Sequence, residues 1–134
     1  MTENTVFDLA ALKETMKTEG VVEITHPQTG VATGVKIRVA SPDSERFISV
    51  DRRLKNRNMA IMQKSKNKTV TMEAVDAAAM DLLVGITLGW EGVTWSGAEM
   101  EFTEANVRTL YSEFPFIKEQ VDSFVGDRGN FFVS

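Results

Sequence analysis

The stretch TMEAVDAAAMDLLVGITLG, Thr71–Gly89, decides the reading of this chain. At about 100° per residue, Met72, Val75, Ala79, Leu82, Leu83 and Ile86 share one continuous arc. Met80, Val84 and Leu88 fall on the far side, among Glu73, Asp76 and Asp81. A helix apolar around most of its circumference belongs inside a fold. Thr71 suits the N-cap, and Glu73 lies in the first turn, where the helix dipole favours an anion. Gly89 suits the left-handed step beyond the last turn. The spacing therefore predicts a buried central helix from Thr71 to Gly89, with Met72 and Met80 as core filler.

Working outward towards the C-terminus, Trp90-Glu91-Gly92-Val93 and Trp95-Ser96-Gly97 read as a glycine-punctuated loop. Met100–Phe102 reads as a short extended piece. Thr103 caps a helix over Glu104–Glu113, where Val107, Leu110, Tyr111 and Phe114 follow i, i+3, i+4, i+7 spacing. Pro115 interrupts it and biases Phe114 away from helical angles. A last helix over Phe116–Val125 turns Ile117, Val121 and Phe124 inward. The tail 127–134 closes on Phe131-Phe132-Val133, which either tucks back onto the domain or is offered to a partner.

Towards the N-terminus, Lys64–Thr69 is a polar, lysine-rich linker. Before it, Ser41-Pro42-Asp43-Ser44-Glu45 is a helix start, with Ser41 as cap and Pro42 at the first helical position. That helix runs to about Gln63, with Phe47, Val50, Leu54 and Ile61 inward and Arg52, Arg53, Lys55 and Arg57 outside. Gly20–Thr25 and Val31–Ala40 form a β-hairpin, because Val35, Ile37 and Val39 alternate with Lys36 and Arg38. His26-Pro27-Gln28-Thr29-Gly30 supplies its turn. Beside a turn proline, His26 reads as a solvated loop residue rather than a proton switch. Asp8–Met16 forms a short helix within a polar arm, residues 1–19, with Val6 and Phe7 packing just before it. The expected architecture is α+β, mostly α: an N-terminal β-hairpin followed by about four helices in one compact domain.

Composition narrows the function. The 134 residues hold no cysteine and one histidine, so disulfides, thiolate metal sites and histidine-rich clusters are excluded. No apolar run is long enough to span a bilayer, and no secretory leader opens the chain. A cytoplasmic, soluble protein without cofactor or metal is expected. There is no phosphate-binding glycine loop, His-Glu-x-x-His or nucleophile elbow, so no enzyme is expected. Net charge is −4 but uneven: Arg46–Lys68 carries eight cations against Asp51 alone, a balance of +7 that leaves −11 elsewhere. This basic segment is a solvated face, a nucleic-acid contact or a docking site for an acidic protein surface. The net acidity, and aromatic residues placed elsewhere, weigh against nucleic acid.

Taken in order, several pieces resemble the tail assembly chaperones of long-tailed bacteriophages. They are Pro27-Gln28-Thr29-Gly30, Ser41-Pro42-Asp43-Ser44-Glu45, the basic helix and Trp90-Glu91-Gly92-Val93. Further on come Phe102-Thr103-Glu104-Ala105-Asn106-Val107, Phe114-Pro115-Phe116-Ile117-Lys118-Glu119-Gln120-Val121 and Asn130-Phe131. The resemblance implies a non-catalytic late protein of the host bacterial cytoplasm, absent from the mature virion. Such proteins coat the apolar, helical tape measure protein, keep it soluble and help recruit tail tube subunits. The family supplies no invariant site, so candidate contacts come from the residues themselves. They are Arg52, Arg53, Lys55 and Arg57 for docking of a partner or of a further subunit in an open helical stack, and Phe131 and Phe132 for apolar contact. The alternatives are a structural tail-completion or neck protein, and a small nucleic-acid-binding protein.

Overall fold

The structure, a computed structural model, describes residues 8–64 and 70–133. Val6, Phe7, Lys66, Lys68 and Ser134 lie outside them. A short helix α1 (Leu9–Glu14) precedes strands β1 (Glu19–Thr25) and β2 (Ala32–Ala40). Helices α2 (Glu45–Lys64) and α3 (Met72–Ile86) follow, then strands β3 (Thr87–Glu91), β4 (Thr94–Trp95) and β5 (Ala98–Glu99). Helices α4 (Glu104–Glu113) and α5 (Pro115–Gly126) and a 3₁₀ turn (Arg128–Phe131) end the chain. This is an α+β architecture, mostly helical, with an N-terminal hairpin and then four helices.

The hairpin forms as its alternation dictates. Val22 pairs with Ile37 and Gly20 with Val39, so one face of the ladder is apolar and buried. At the turn, Gly30 takes φ 73°, and the His26 Nδ1 accepts the Gln28 N–H at 3.1 Å. His26 is exposed there. The helix start is shifted by one turn from expectation. The Ser41 hydroxyl bonds Asp43 N–H within a tight turn, and Ser44 is the residue whose hydroxyl accepts the Phe47 N–H at 3.2 Å. Thr103 accepts the Asn106 N–H at 3.1 Å, and Pro115 opens α5 after a non-helical Phe114.

The principal departure concerns the end of α3. It stops at Ile86 rather than running to Gly89, because Thr87 turns extended and its hydroxyl donates to the Leu83 carbonyl at 2.7 Å. Residues Thr87–Glu91 then pair antiparallel with β2, Ile37 opposite Trp90, completing a three-stranded sheet of order β1-β2-β3. Gly89 is therefore a strand residue. The Arg38 guanidinium occupies the space over it, so a Cβ there would lie 2.7 Å from Nη2.

Likewise the tryptophan loop is a small hairpin, with Ser96 and Gly97 both at positive φ as a tight primed turn requires. Met100–Phe102 is not a strand. It is held by the Trp90 indole N–H donating to the Met100 carbonyl at 3.0 Å.

The core lies between the sheet and the helices. Ile24, Ile37 and Val39 meet Leu83 and Ile86 of α3, Val107, Leu110 and Tyr111 of α4, and Ile117, Val121 and Val125 of α5. Helix α2 packs chiefly on α3, which places α3 between α2 and the rest of the molecule.

Candidate docking surface on the helical arm

Helix α2 has 20 residues and α3 has 15, against 10 and 12 for α4 and α5. At about 1.5 Å per residue, α2 is ~30 Å long. Residues 55–64 of α2 and 72–77 of α3 are all exposed, so the pair extends past the core as an arm. Two contacts fix its register. Near the base, Gly85 lets α2 approach closely: a Cβ there would lie 2.6 Å from the Val50 Cγ1. Midway, the Asp81 carboxylate receives Arg57 from α2 at 2.6 Å and Arg108 from α4 at 2.8 Å. Burial raises the Asp81 pKa. The hydrogen bonds and charges of Arg57 and Arg108 outweigh this and hold it below the usual carboxylate value. Asp81 thus ties α2, α3 and α4 together.

Distal to that tie the apolar residues lose their cover. Met72 is 70% exposed and Ile61 and Met59 are each 60% exposed, with Met62, Val70 and Val75 also open to solvent. This corrects the sequence reading, which placed Met72 and Val75 in the core and Ile61 on the inward stripe. The arc on α3 is continuous as expected, but only its C-terminal half is buried. Leu83 and Ile86 reach the core, while Ala79, Val75 and Met72 run outward along the arm. Where the two halves meet, a shallow groove of ≈ 340 Å³ is lined by Phe47, Ala79, Leu82, Leu83 and Val125. The unmet signal was length: α2 and α3 are longer than the elements available to cover them.

The basic residues divide into two groups. Arg57 is committed to Asp81, and Lys55 pairs with Asp51 at 2.9 Å one turn away. Arg52 and Arg53 are exposed on the outer side of α2, beside a shallow depression of ≈ 520 Å³ with Ile48 and Asn56. Among the described residues they make no ion pair. Lys64 ends α2 instead of opening the linker, whose residues 65–69 lie outside the described ones.

The closing aromatics also divide. Phe131 is 2% exposed, edge-on to Phe124 at 5.4 Å between centroids. Its carbonyl accepts the Lys17 N–H at 2.7 Å, and the Val133 N–H donates to the Thr15 carbonyl at 2.7 Å. Phe131 is therefore a core residue here, and its expected contact with a partner finds no exposed ring. Phe132 is half-buried and bridges Met16. The arm and the tail are separate features, so the six candidate residues do not form one site.

Chemically, the arm offers exposed apolar side chains on both helices, with the cations Arg52 and Arg53 on α2 and carboxylates on α3. Glu73 and Asp76 stand exposed on α3 beside Met72 and Val75. That arrangement suits burial of a complementary helix. Among the described residues, no three metal-ligating side chains cluster, and no helix is long and apolar enough to cross a membrane. No protein-family model, no curated protein and no solved structure matches this chain.

Proposed function

We propose that this protein is a non-catalytic tail assembly chaperone of a long-tailed bacteriophage. It binds the tape measure protein, keeps it soluble and helps bring tail tube subunits to it, acting in the host bacterial cytoplasm and leaving before the virion is complete. The observation that carries this reading is the α2–α3 arm, whose distal half leaves Met59, Ile61, Met62, Val70, Met72 and Val75 open to solvent. Large apolar side chains left exposed together on one part of a fold mark a contact surface. Methionines suit a partner whose apolar face varies along its length, because the thioether side chain repacks easily.

Arg52 and Arg53 supply the cationic part of a contact with the acidic remainder of a neighbouring subunit. Such a head-to-tail contact leaves an open, helical stack rather than a closed ring. Many weak contacts along one rod then multiply through effective concentration.

Two variants test this reading on co-expression with a tape measure protein. Met72→Glu with Val75→Glu is expected to release the partner into the insoluble fraction while the variant itself stays folded. Arg52→Glu with Arg53→Glu is expected to reduce the size of the chaperone assembly. If the tape measure protein is equally insoluble with and without the wild-type chain, the reading is wrong.

A further inference from the structure

A second surface lies away from the arm, along the free edge of β1. Backbone groups in a strand point alternately to its two sides. The Thr18 carbonyl accepts the Ser41 N–H, and the His26 N–H donates to Val31, so the even-numbered residues face β2. The odd-numbered residues face away from the sheet. At one end the Lys17 N–H is taken by the Phe131 carbonyl. At the other, the Gln120 side-chain amide imitates a neighbouring strand: Oε1 accepts the Thr25 N–H and Nε2 donates to the Thr25 carbonyl, each at 2.9 Å. Between these plugs, the outward N–H and C=O groups of Glu19, Val21 and Glu23 have no partner among the described residues.

This window opens on a groove of ≈ 870 Å³ between β1 and α5. Phe116 and Phe124 give it an apolar floor. Glu23, Glu119 and Asp127 line it, and no lysine or arginine does. Val21, in the middle of the window, is 49% exposed on the sheet face.

We propose that this window is a strand-addition site for an extended, lysine- or arginine-bearing segment of another protein. Main-chain pairing to Glu19, Val21 and Glu23 would supply the register. Side chains alternating along the added strand would place cations by Glu23 on one face and apolar residues by Phe116 and Phe124 on the other, with Glu119 and Asp127 adding negative potential to the groove. The plugs at Lys17 and Thr25 limit the added strand to about five residues, which also protects the edge against indefinite pairing. This site is independent of the arm, so it stands or falls separately from the chaperone reading.

The test is a titration of the isotope-labelled full chain with the synthetic peptide Lys-Val-Lys-Val-Lys-Val-Lys, blocked at both ends and followed by amide NMR shifts. Saturable shifts are expected at residues 19–25 and 119–127. Val21→Pro removes an outward N–H without touching the β1–β2 ladder, and it should weaken binding by about tenfold or more. Glu23→Lys with Glu119→Lys, a folded surface variant, should do the same. A peptide with alternate N-methylated amides should not bind. The proposal is overturned if those amides do not move, or if Glu-Val-Glu-Val-Glu-Val-Glu moves them equally. It is also overturned if deleting residues 1–7 strengthens peptide binding sharply, which would assign the window to the chain's own start. Shifts that vary with protein concentration in the absence of peptide would assign it to a second copy, and would equally overturn it.

Discussion

At the scale of single residues, Asp81 decides how the arm is held. Its side chain is 17% exposed and bonded to two guanidinium groups that are themselves half in solvent. Screening at those arginines reduces what the pairs contribute. Asp81→Asn is expected to cost about 1–2 kcal/mol at neutral pH, read from denaturant midpoints. Because the folded-state pKa lies below the ordinary value of 3.8, this contribution is present above that value and is lost as pH falls through the folded pKa. The gap between wild type and variant should therefore close in acid.

Tyr111 behaves in the opposite sense. Its hydroxyl lies 2.8 Å from the Thr87 hydroxyl in the core, and burial pushes its pKa from 10.0 up to about 12, the Thr87 bond opposing this only in part. Stability from the neutral phenol is full below pH 10 and is lost as pH rises towards 12. Tyr111→Phe should cost about 1 kcal/mol at pH 7 and lose less stability than wild type over that alkaline range. Neither role was legible in the sequence. Asp81 read as one of three charges on the back of a helix, and Arg57 as a cation for docking a partner, because the partner of each is far away along the chain.

Among the elements, what was legible followed from local chemistry. The alternation of Val35, Ile37 and Val39, the Thr71 and Thr103 caps and the Pro115 break each depend on residues within one turn, and each appears where expected. The end of α3 was not legible. Leu88 and Gly89 extend a helical pattern, yet β2 needs a second neighbour, and the ladder with β3 wins over local propensity.

The same helix also separates burial from pattern. Leu83→Ala should cost roughly 2–5 kcal/mol, whereas Met72→Ala and Val75→Ala on the same arc should each stay within about 0.5 kcal/mol. Equal losses at all three positions in thermal melts would contradict an arm that projects from the core. Of the candidate contacts, the exposure of Arg52 and Arg53 could be read from charge alone. The burial of Phe131 could not, since it depends on Lys17 and Phe124 meeting the tail.

On the scale of the whole molecule, α3 is half core and half surface, and the account rests on the surface half being a binding face. The charge split reinforces this, because exposed cations lie on the outer side of α2 while the chain as a whole is acidic. Self-association driven that way should weaken as salt rises and be lost in Arg52→Glu with Arg53→Glu, both measurable by sedimentation. The most direct measurement is hydrogen exchange of the chain alone and in complex with a tape measure protein. The account predicts new protection at amides 59–64 and 72–79, with the sheet and α4 unchanged. Protection confined to other elements, or none in the presence of the partner, would contradict it.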